Sequence, residues 1–314
     1  MRPSDRPKRA LQHAAGATPP LIITRASERS LEKPPTMRRV LKTAEKFAPR
    51  YDEWMRESHH PIAHEMLRDY YADRHIEGPI AEVGCGTGVL SANLMLSVCT
   101  DMLRTGRAAP PAGDAAPAKF LLLDASRVMI DLARDNVRAV LGSFLSASTF
   151  ISPGLEKSDF TIVDSPDWAS MSLMLRNSEI LKVWFACAEA EQIGKVSSDL
   201  GLEIRTAVLS YVMHWMRGSD GKLHAAESMF DALPQGGRLV SLEEWPLVVR
   251  CDLHPDDADV QELAKLIRGA VTVLPIPEIE MIFGAAGFIM HAANAARKRI
   301  DDYHDMYGRV YEKP

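Results

Sequence analysis

The sequence predicts an α/β fold in which a mostly parallel sheet carries helices on both faces. Three observations predict it. Residues 80–83 form an apolar strand that leads into a glycine-rich turn, and residues 119–124 form a second apolar strand that ends in an acid. The segment 206–216 begins as a strand and precedes a helical stretch and a further strand at 238–244. Strands that alternate with helices favour parallel pairing, and such sheets bind ligands at the carboxyl ends of their strands.

The turn after the first strand carries Gly84, Gly86 and Gly88 at alternate positions, with Cys85 between the first two. Glycine tolerates positive φ and has no Cβ, so a ligand can lie against bare backbone between strand and helix. The spacing differs from the G-x-G-x-x-G of dinucleotide sites, and a carboxylate at Glu82 would repel a pyrophosphate. The turn therefore favours a nucleotide-like cofactor that carries positive charge.

The second strand ends at Asp124, where a carboxylate can accept hydrogen bonds from both hydroxyls of a ribose. Ala125 and Ser126 follow, and serine is a favourable residue for beginning a helix. Met129 lies in that helix, where a methionine can also be an ordinary core residue. The separation between the glycine turn and Asp124 is longer than usual, and the excess is assigned to a surface loop at 104–117.

Together these residues resemble the first two motifs of class I S-adenosylmethionine-dependent methyltransferases, an acid (Glu82) before alternate glycines and then Asp-x-Ser-x-x-Met. A His-Trp element at 214–215, Pro-x-Gly-Gly at 234–237 and a closing strand at 306–311 follow in the family's order. The resemblance covers about 79–314. It implies a Rossmann-like, doubly wound, mostly parallel seven-stranded sheet whose last strand is antiparallel, with S-adenosyl-L-methionine as the cofactor.

The resemblance also assigns roles within the site. It implies that Glu82 contacts the amino acid portion of the cofactor indirectly and that Asp124 holds the ribose. It also implies that an acid at the end of a third strand, 160–165, contacts the adenine, and this acid is Asp164, with the nearby Asp167 as the alternative. The residues expected to bind the cofactor are Tyr51, Glu82, Gly84, Cys85, Gly86, Gly88, Asp124, Ala125, Met129, Asp164, Ser165 and Ser210.

The N-terminal part of the chain differs from the rest. Residues 1–36 predict a disordered basic leader, since residues 1–39 hold nine Lys and Arg against three acids. Residues 37–78 predict a helical cap. Its Phe-Ala-x-x-Tyr-Asp element, Phe47 to Asp52, resembles the cap of methyltransferases that act on small acids and quinone precursors, such as the trans-aconitate, malonyl-carrier-protein and ubiquinone/menaquinone enzymes. That resemblance places Tyr51 at the methyl-donor pocket. The alternative is that Tyr51 is an ordinary aromatic residue that packs in the core.

Two segments, 168–202 and 246–274, are expected to be insertions after strand ends that form a substrate lid. The first has helix-like apolar spacing, which fits a pocket for a planar or acyl substrate, core packing, or the surface of a homodimer. In the second, His254-Pro255-Asp256-Asp257 lacks a third spaced ligand and predicts a helix-start turn. No metal is therefore expected.

Methyl transfer is an in-line displacement, so the protein mainly aligns the nucleophile and, for a phenol or an amine, removes a proton. His214 is the candidate general base and Tyr211 a second candidate catalytic residue, because both follow a strand whose end faces the site. The histidine departs from the His-Asp-Trp element of plant-type phenolic O-methyltransferases, since no Asp separates it from Trp215. Structural packing beside that tryptophan is the alternative.

The substrate is expected to be a small molecule, with O-methylation of an acid or phenol preferred. Ser210-Tyr211-Val212 lacks the Asn/Asp-Pro-Pro-aromatic sequence of nucleobase N-methyltransferases, which makes nucleic acid an unfavoured partner. No apolar run reaches the ~18 residues of a spanning helix, and the four cysteines show no paired framework, so a cytoplasmic protein with reduced thiols is expected. An RNA-directed enzyme recruited by its basic leader and an inactive cofactor-binding scaffold stay open as alternatives.

Overall fold

The computed structural model describes residues 21–23, 36–56, 59–105, 116–151, 154–167, 169–216, 218–249 and 256–314. The helices in these ranges are α1 (Met37–Arg56), α2 (His59–Ala72), α3 (Val89–Arg104), α4 (Arg127–Ile151), α5 (Ile193–Asp199), α6 (Gly218–Ala232), α7 (Ala258–Ala270) and α8 (Ile276–Ala285). The strands are β1 (Leu21–Ile23), β2 (Ile80–Val83), β3 (Ala118–Asp124), β4 (Phe160–Asp164), β5 (Ser170–Leu175), β6 (Ser178–Cys187), β7 (Thr206–Ser210), β8 (Arg238–Trp245), β9 (Leu247–Val249), β10 (Ile289–Met290), β11 (Ala296–Arg299) and β12 (Asp305–Glu312).

The central sheet has the order β10-β12-β8-β7-β2-β3-β6-β5-β4, with β11 also paired to β12. Its five middle strands, from β8 to β6, are parallel to one another. The last strand, β12, runs antiparallel to β8. The predicted α/β fold with a mostly parallel centre and an antiparallel last strand is confirmed. The sheet has ten strands among the described residues, however, where the sequence predicted seven.

The strand that lies parallel beside β3 is not the one predicted from the sequence, which was the strand at 160–165. Residues 160–164 form β4, which pairs antiparallel with β5 at the edge of the sheet, whereas β6 lies parallel beside β3. The predicted lid at 168–202 is therefore wrong over β5 and β6. Ile180, Leu181 and Phe185 are buried along a strand. Their spacing predicts a helix as readily as a strand, because short apolar runs fit both periodicities.

Helices cover both faces of the sheet, as expected for a doubly wound fold. One face packs against α2, α3 and α4 through a cluster that includes Met66, Met95 and Phe144. The other packs against α5, α6 and α8 through a cluster that includes Met229 and Phe283. None of the helices within the described ranges is both long and apolar enough to cross a membrane.

The N-terminal segment lies partly against the predicted second insertion. Helices α1 and α2 occupy the stretch for which the sequence predicts a helical cap. Phe47 on α1 joins an apolar cluster with Leu263 and Ile267 on α7. Within the predicted disordered leader, β1 pairs antiparallel with β9, so that prediction is wrong at these three residues. The other residues before 36 lie outside the described ranges.

The start of α3 depends on the last glycine of the turn. Gly88 has φ +70°, and a Cβ built on it would lie 2.8 Å from the Cβ of Ala133 and 3.0 Å from its Cα. The absence of a side chain therefore lets α3 approach α4 directly behind the turn. Gly201 after α5 also has a positive φ, +63°, but a Cβ there meets no atom within 4 Å.

These two glycines allow the packing effect to be separated from the backbone effect. Both Gly88→Ala and Gly201→Ala should suffer the left-handed backbone penalty of about 1 kcal/mol. Gly88→Ala should lose a further ~1–3 kcal/mol of unfolding free energy, because the new methyl group overpacks against helix α4. Urea denaturation of the two variants measures the difference. Equal losses would show that close helix packing is not the reason for glycine at 88.

The central strand β2 carries a buried carboxylate. Glu82 is 3% exposed, and its Oε2 accepts a hydrogen bond from the hydroxyl of Ser91 on α3. Burial raises the pKa of Glu82 to about 7, although the hydrogen bonds to Ser91 oppose the shift and the nearby charge of Asp124 adds to it. Glu82 therefore lies inside the fold, between the sheet and α3.

The raised pKa of Glu82 predicts a specific pH dependence of stability. Between about pH 4.5 and 7 the folded protein keeps a proton that the unfolded chain has released, so stability falls as the pH rises through this window. The loss should be on the order of 3 kcal/mol in the native protein relative to Glu82→Gln. Thermal or urea unfolding across the window gives the comparison. Parallel stability curves for the two proteins would contradict a protonated Glu82.

Candidate functional site

A cavity with about 960 Å³ of empty space, part of it open to solvent, lies at the carboxyl ends of the middle strands. We call it the main cavity. Its walls come from the glycine turn, the ends of β3, β6 and β7, and helix α1. The lining residues are Val40, Leu41, Phe47, Gly84, Gly86, Leu123, Asp124, Ala125, Met129, Ala188, Glu189, Ala190, Glu191, Ser210, Tyr211, Val212, Trp215 and Met216.

The floor of the main cavity is formed where the glycine turn is hydrogen-bonded to the end of β3. The backbone N–H groups of Gly84 and Cys85 donate to Leu123 O, at 2.7 and 3.0 Å. Gly86 N donates to Asp124 Oδ2 at 3.0 Å, and Ser126 N donates to Asp124 Oδ1 at 2.8 Å. Burial raises the pKa of Asp124, and these two N–H groups oppose that shift by stabilising the anion.

Two features of the floor fit a bound ligand. Gly86 has φ +53°, and a Cβ on it would meet no atom within 4 Å, so the space above its backbone is open. Ser210 Oγ is buried at the cavity wall without a hydrogen bond of good geometry to the described residues, although it lies close enough to lower the pKa of Glu82. A hydroxyl can both donate and accept, so this group also has capacity to bind a polar group of a ligand.

Helix α1 is fastened to the glycine turn by a carboxylate. Asp52 accepts hydrogen bonds from the Thr87 hydroxyl and, at 3.0 Å, from Asn136 Nδ2. Asn136 Nδ2 also donates to Thr87 O at 2.9 Å, which joins the turn to α4. This attachment places Phe47 of α1 at the cavity wall. Asp52 and Phe47 belong to the element that the sequence related to the cap, yet neither was predicted as a site residue.

The opposite wall comes from residues that the sequence analysis missed. Residues 188–191 follow the end of β6 and include Glu189 and Glu191, which line the main cavity. An apolar strand followed by acids was the available signal, but the segment was interpreted as a lid. Trp215 and Met216 complete this side, in a 3₁₀ turn whose carbonyls at 213 and 216 accept hydrogen bonds from the buried ammonium of Lys222.

The structure brings six of the twelve predicted cofactor residues to one place, together with Tyr211, which was predicted as catalytic. Gly84, Gly86, Asp124, Ala125, Met129, Ser210 and Tyr211 line the main cavity. Glu82, Cys85, Gly88, Asp164 and Ser165 are not among the described lining residues. The carboxylate of Asp164 instead pairs with Arg134, at 2.6 Å, and with Arg138, because β4 is an edge strand far along the sheet from β2. The prediction for Tyr51 concerns a side chain that is not among those that the structure describes.

The two candidate catalytic residues differ in their relation to the cavity. Tyr211 lines it with φ +59°, a strained backbone for a residue with a side chain. Its hydroxyl donates to His59 O at 3.1 Å, so the phenol is held in place by α2. His214 is buried behind the wall, borders a second, smaller cavity, and has its Nδ1 3.7 Å from Glu243 Oε2. This placement does not favour a general base.

Comparison of the sequence with known proteins finds no matching family model and no matching curated protein. The fold has matches among solved structures. The N-methyltransferase NodS from Bradyrhizobium japonicum, in complex with S-adenosyl-L-homocysteine, superimposes with a TM-score of 0.52 at 11% identity, over 88% of this chain and 99% of NodS.

Two further matches are similar in extent. Magnesium protoporphyrin IX methyltransferase (ChlM) from Synechocystis PCC 6803 gives a TM-score of 0.48 at 11% identity, over 88% of this chain and 98% of that chain. A possible histamine N-methyltransferase from Thermotoga maritima gives 0.45 at 13% identity, over 88% and 100% of the two chains. On the NodS match, the chain has the class I fold of S-adenosylmethionine-dependent methyltransferases.

Proposed function

We propose that the protein is an S-adenosyl-L-methionine-dependent methyltransferase that acts on a small molecule in the main cavity. The observation that carries the proposal is the ionisable carboxylate of Asp124, held beside the open backbone of Gly86 at the carboxyl edge of a parallel sheet. Ligands of this sheet type bind at that edge. The fold shared with NodS, a protein solved with S-adenosyl-L-homocysteine, supports the same choice of ligand.

The residues of the floor fit this cofactor. Each Asp124 oxygen accepts one backbone N–H and keeps a lone pair for a ribose hydroxyl. Gly86 leaves the floor open, and the buried hydroxyl of Ser210 lies at the cavity wall near Glu82. When bound, S-adenosylmethionine supplies an electrophilic methyl group on a sulfonium. Its positive charge is compatible with a wall that carries acidic side chains and, among the described lining residues, no Lys, Arg or His.

The same wall suggests the chemical class of the substrate. Phe47, Trp215 and Met216 give an apolar surface suited to a planar or acyl molecule. A substrate carboxylate would find no basic partner among the described lining residues. We therefore favour a neutral substrate with a phenol-like hydroxyl as the methyl acceptor. A phenol must lose its proton, and the carboxylates of Glu189 and Glu191 are available on the wall to accept it. The base role predicted for His214 is not part of this proposal.

Calorimetric titration with S-adenosyl-L-homocysteine tests the cofactor site. We expect micromolar binding to the native protein, weakened by about 1–3 kcal/mol in Asp124→Ala, because the ribose hydroxyls and two backbone N–H groups lose their acceptor. Asp164→Ala is the matched control, since it also removes a strand-end acid predicted from sequence but lies away from the cavity. Its affinity should equal that of the native protein. Absence of binding to the native protein, or equal losses in both variants, would contradict the proposal.

The attachment of α1 predicts a kinetic effect on the same ligand. Asp52→Ala removes the hydrogen bonds to Thr87 and Asn136, so α1 should close less firmly over the bound ligand. The dissociation rate of S-adenosyl-L-homocysteine should rise by roughly tenfold, in line with the loss of one or two charge-assisted hydrogen bonds. Surface plasmon resonance measures this rate.

The neighbouring Glu53→Ala provides the control for that measurement. Glu53 is exposed and pairs with Arg50 at 3.5 Å on the same helix, without contact to the glycine turn. Its dissociation rate should match that of the native protein. If both variants release the ligand equally fast, the effect belongs to helix α1 in general and the specific role of Asp52 is wrong.

A further inference from the structure

A cluster of metal-ligating side chains lies outside the main cavity. His59 begins α2, Glu244 lies near the end of β8, and His304 immediately precedes β12. One ligand atom of each lies within 4.8 Å of the others, and all three residues are buried. Their side chains are 7%, 4% and 0% exposed, respectively. None of the three lines the main cavity, so the cluster is separate from the proposed methyl-transfer site.

The distances between the ligand atoms fit a common metal ion. His59 Nε2 and His304 Nε2 are 3.1 Å apart, and they lie 2.8 and 3.4 Å from Glu244 Oε2. Zinc binds imidazole nitrogen and carboxylate oxygen at about 2.0–2.2 Å, which puts neighbouring ligand atoms in a tetrahedral site about 3.3 Å apart. The triangle formed by the three atoms therefore has the size of one face of such a site.

The orientation of His304 also points to a metal. Its Nδ1 lies 2.8 Å from Asp301 Oδ1, and that oxygen accepts hydrogen bonds from the backbone N–H groups of Tyr303, at 2.8 Å, and His304, at 3.2 Å. A carboxylate fixed in this way accepts a hydrogen bond from the Nδ1–H group, which leaves the Nε2 lone pair directed at the cluster. Carboxylate–histidine–metal triads share this arrangement.

A cation at the centre of the three ligand atoms would suit their arrangement. With Nδ1 of His304 donating to Asp301, a neutral His304 presents a lone pair at Nε2, next to the Glu244 carboxylate and the second imidazole nitrogen. A hydrogen bond between His59 Nε2 and Glu244 Oε2, which are 2.8 Å apart, would involve only two of the three atoms. A divalent cation would satisfy all three at once, and a two-histidine, one-glutamate set is a known zinc ligand set.

We infer that His59, Glu244 and His304 bind a divalent transition metal, with Zn²⁺ as the expected ion and Asp301 as the residue that orients His304. The three ligands come from α2, β8 and the segment before β12, so the ion would join the helical cap to the sheet. It would also support the wall of the main cavity, because the backbone carbonyl of His59 accepts the hydrogen bond from Tyr211. Water is the expected fourth ligand, since the described His, Cys, Asp and Glu residues supply only three.

Zinc binding to the metal-stripped, full-length protein tests this inference. We expect one equivalent of Zn²⁺ to remain after dialysis, measured by elemental analysis, and a higher midpoint of thermal unfolding with Zn²⁺ than without it. Substitution by Co²⁺ should give the visible absorption of a tetrahedral site with nitrogen and oxygen ligands. A folded native protein that retains no stoichiometric Zn²⁺ would overturn the proposal, and the cluster would then be a hydrogen-bonded network.

Three variants and one control locate the site. Glu244→Gln and His304→Gln should lose stoichiometric Zn²⁺, and Asp301→Asn should bind it about 10–100-fold more weakly, as found for residues that orient metal ligands. His64→Gln is the control, because it removes another imidazole of α2 that is not part of the cluster. Unchanged binding in both Glu244→Gln and His304→Gln would overturn the assignment, whereas the measurements on the native protein stay decisive if a variant does not fold.

Discussion

The hydrogen bonds between the glycine turn and the end of β3 are the interaction on which the main cavity depends. Leu123 O accepts two N–H groups of the turn, and Asp124 accepts a third across 38 positions in sequence. These bonds join the turn after β2 to the adjacent strand, so the floor is tied to the sheet. A carboxylate that already accepts two backbone N–H groups still has lone pairs for a ligand. Asp124 therefore has two roles: it holds the floor in shape and it faces the space for the ligand.

The enclosure of the cavity has a different physical basis from its floor. Helix α1 is not part of the sheet, and its described contacts to the rest of the protein are made by side chains. Asp52 binds the glycine turn, and Phe47 packs into the apolar cluster against α7. Ion pairs of Lys46 and Arg50 with α7 and its N-terminal turn lie near the surface, where such pairs contribute little. Among the described contacts, the carboxylate of Asp52 and apolar burial therefore contribute most to the closed arrangement.

The parts of the site that could be predicted are those whose geometry is determined by residues adjacent in the sequence. The glycine turn and Asp124 each follow directly from a strand and a turn, so both could be placed at the carboxyl edge. The wall at 188–191 could not be placed in this way, because the strand before it has apolar spacing that also fits a helix. The strand at 160–164 also has the sequence of a strand that ends in an acid, so the sequence favours it for the position beside β3. The cluster of His59 with Glu244 and His304 depends on contacts across 185 and 245 positions. No local pattern encodes such contacts.

The long separation between His59 and His304 has a consequence for how the chain reaches this structure. A contact between residues that are distant in sequence requires closure of a long loop, and the entropy lost on closure precedes the energy gained from the contact. Such contacts are therefore expected to form late in folding. The core of β2, β3 and β7 with α3 and α4 draws on nearer segments. The junction between α2 and β12 should therefore be absent from the folding transition state. Interactions of that kind slow unfolding without speeding folding, so contacts at this junction should lengthen the lifetime of the native state.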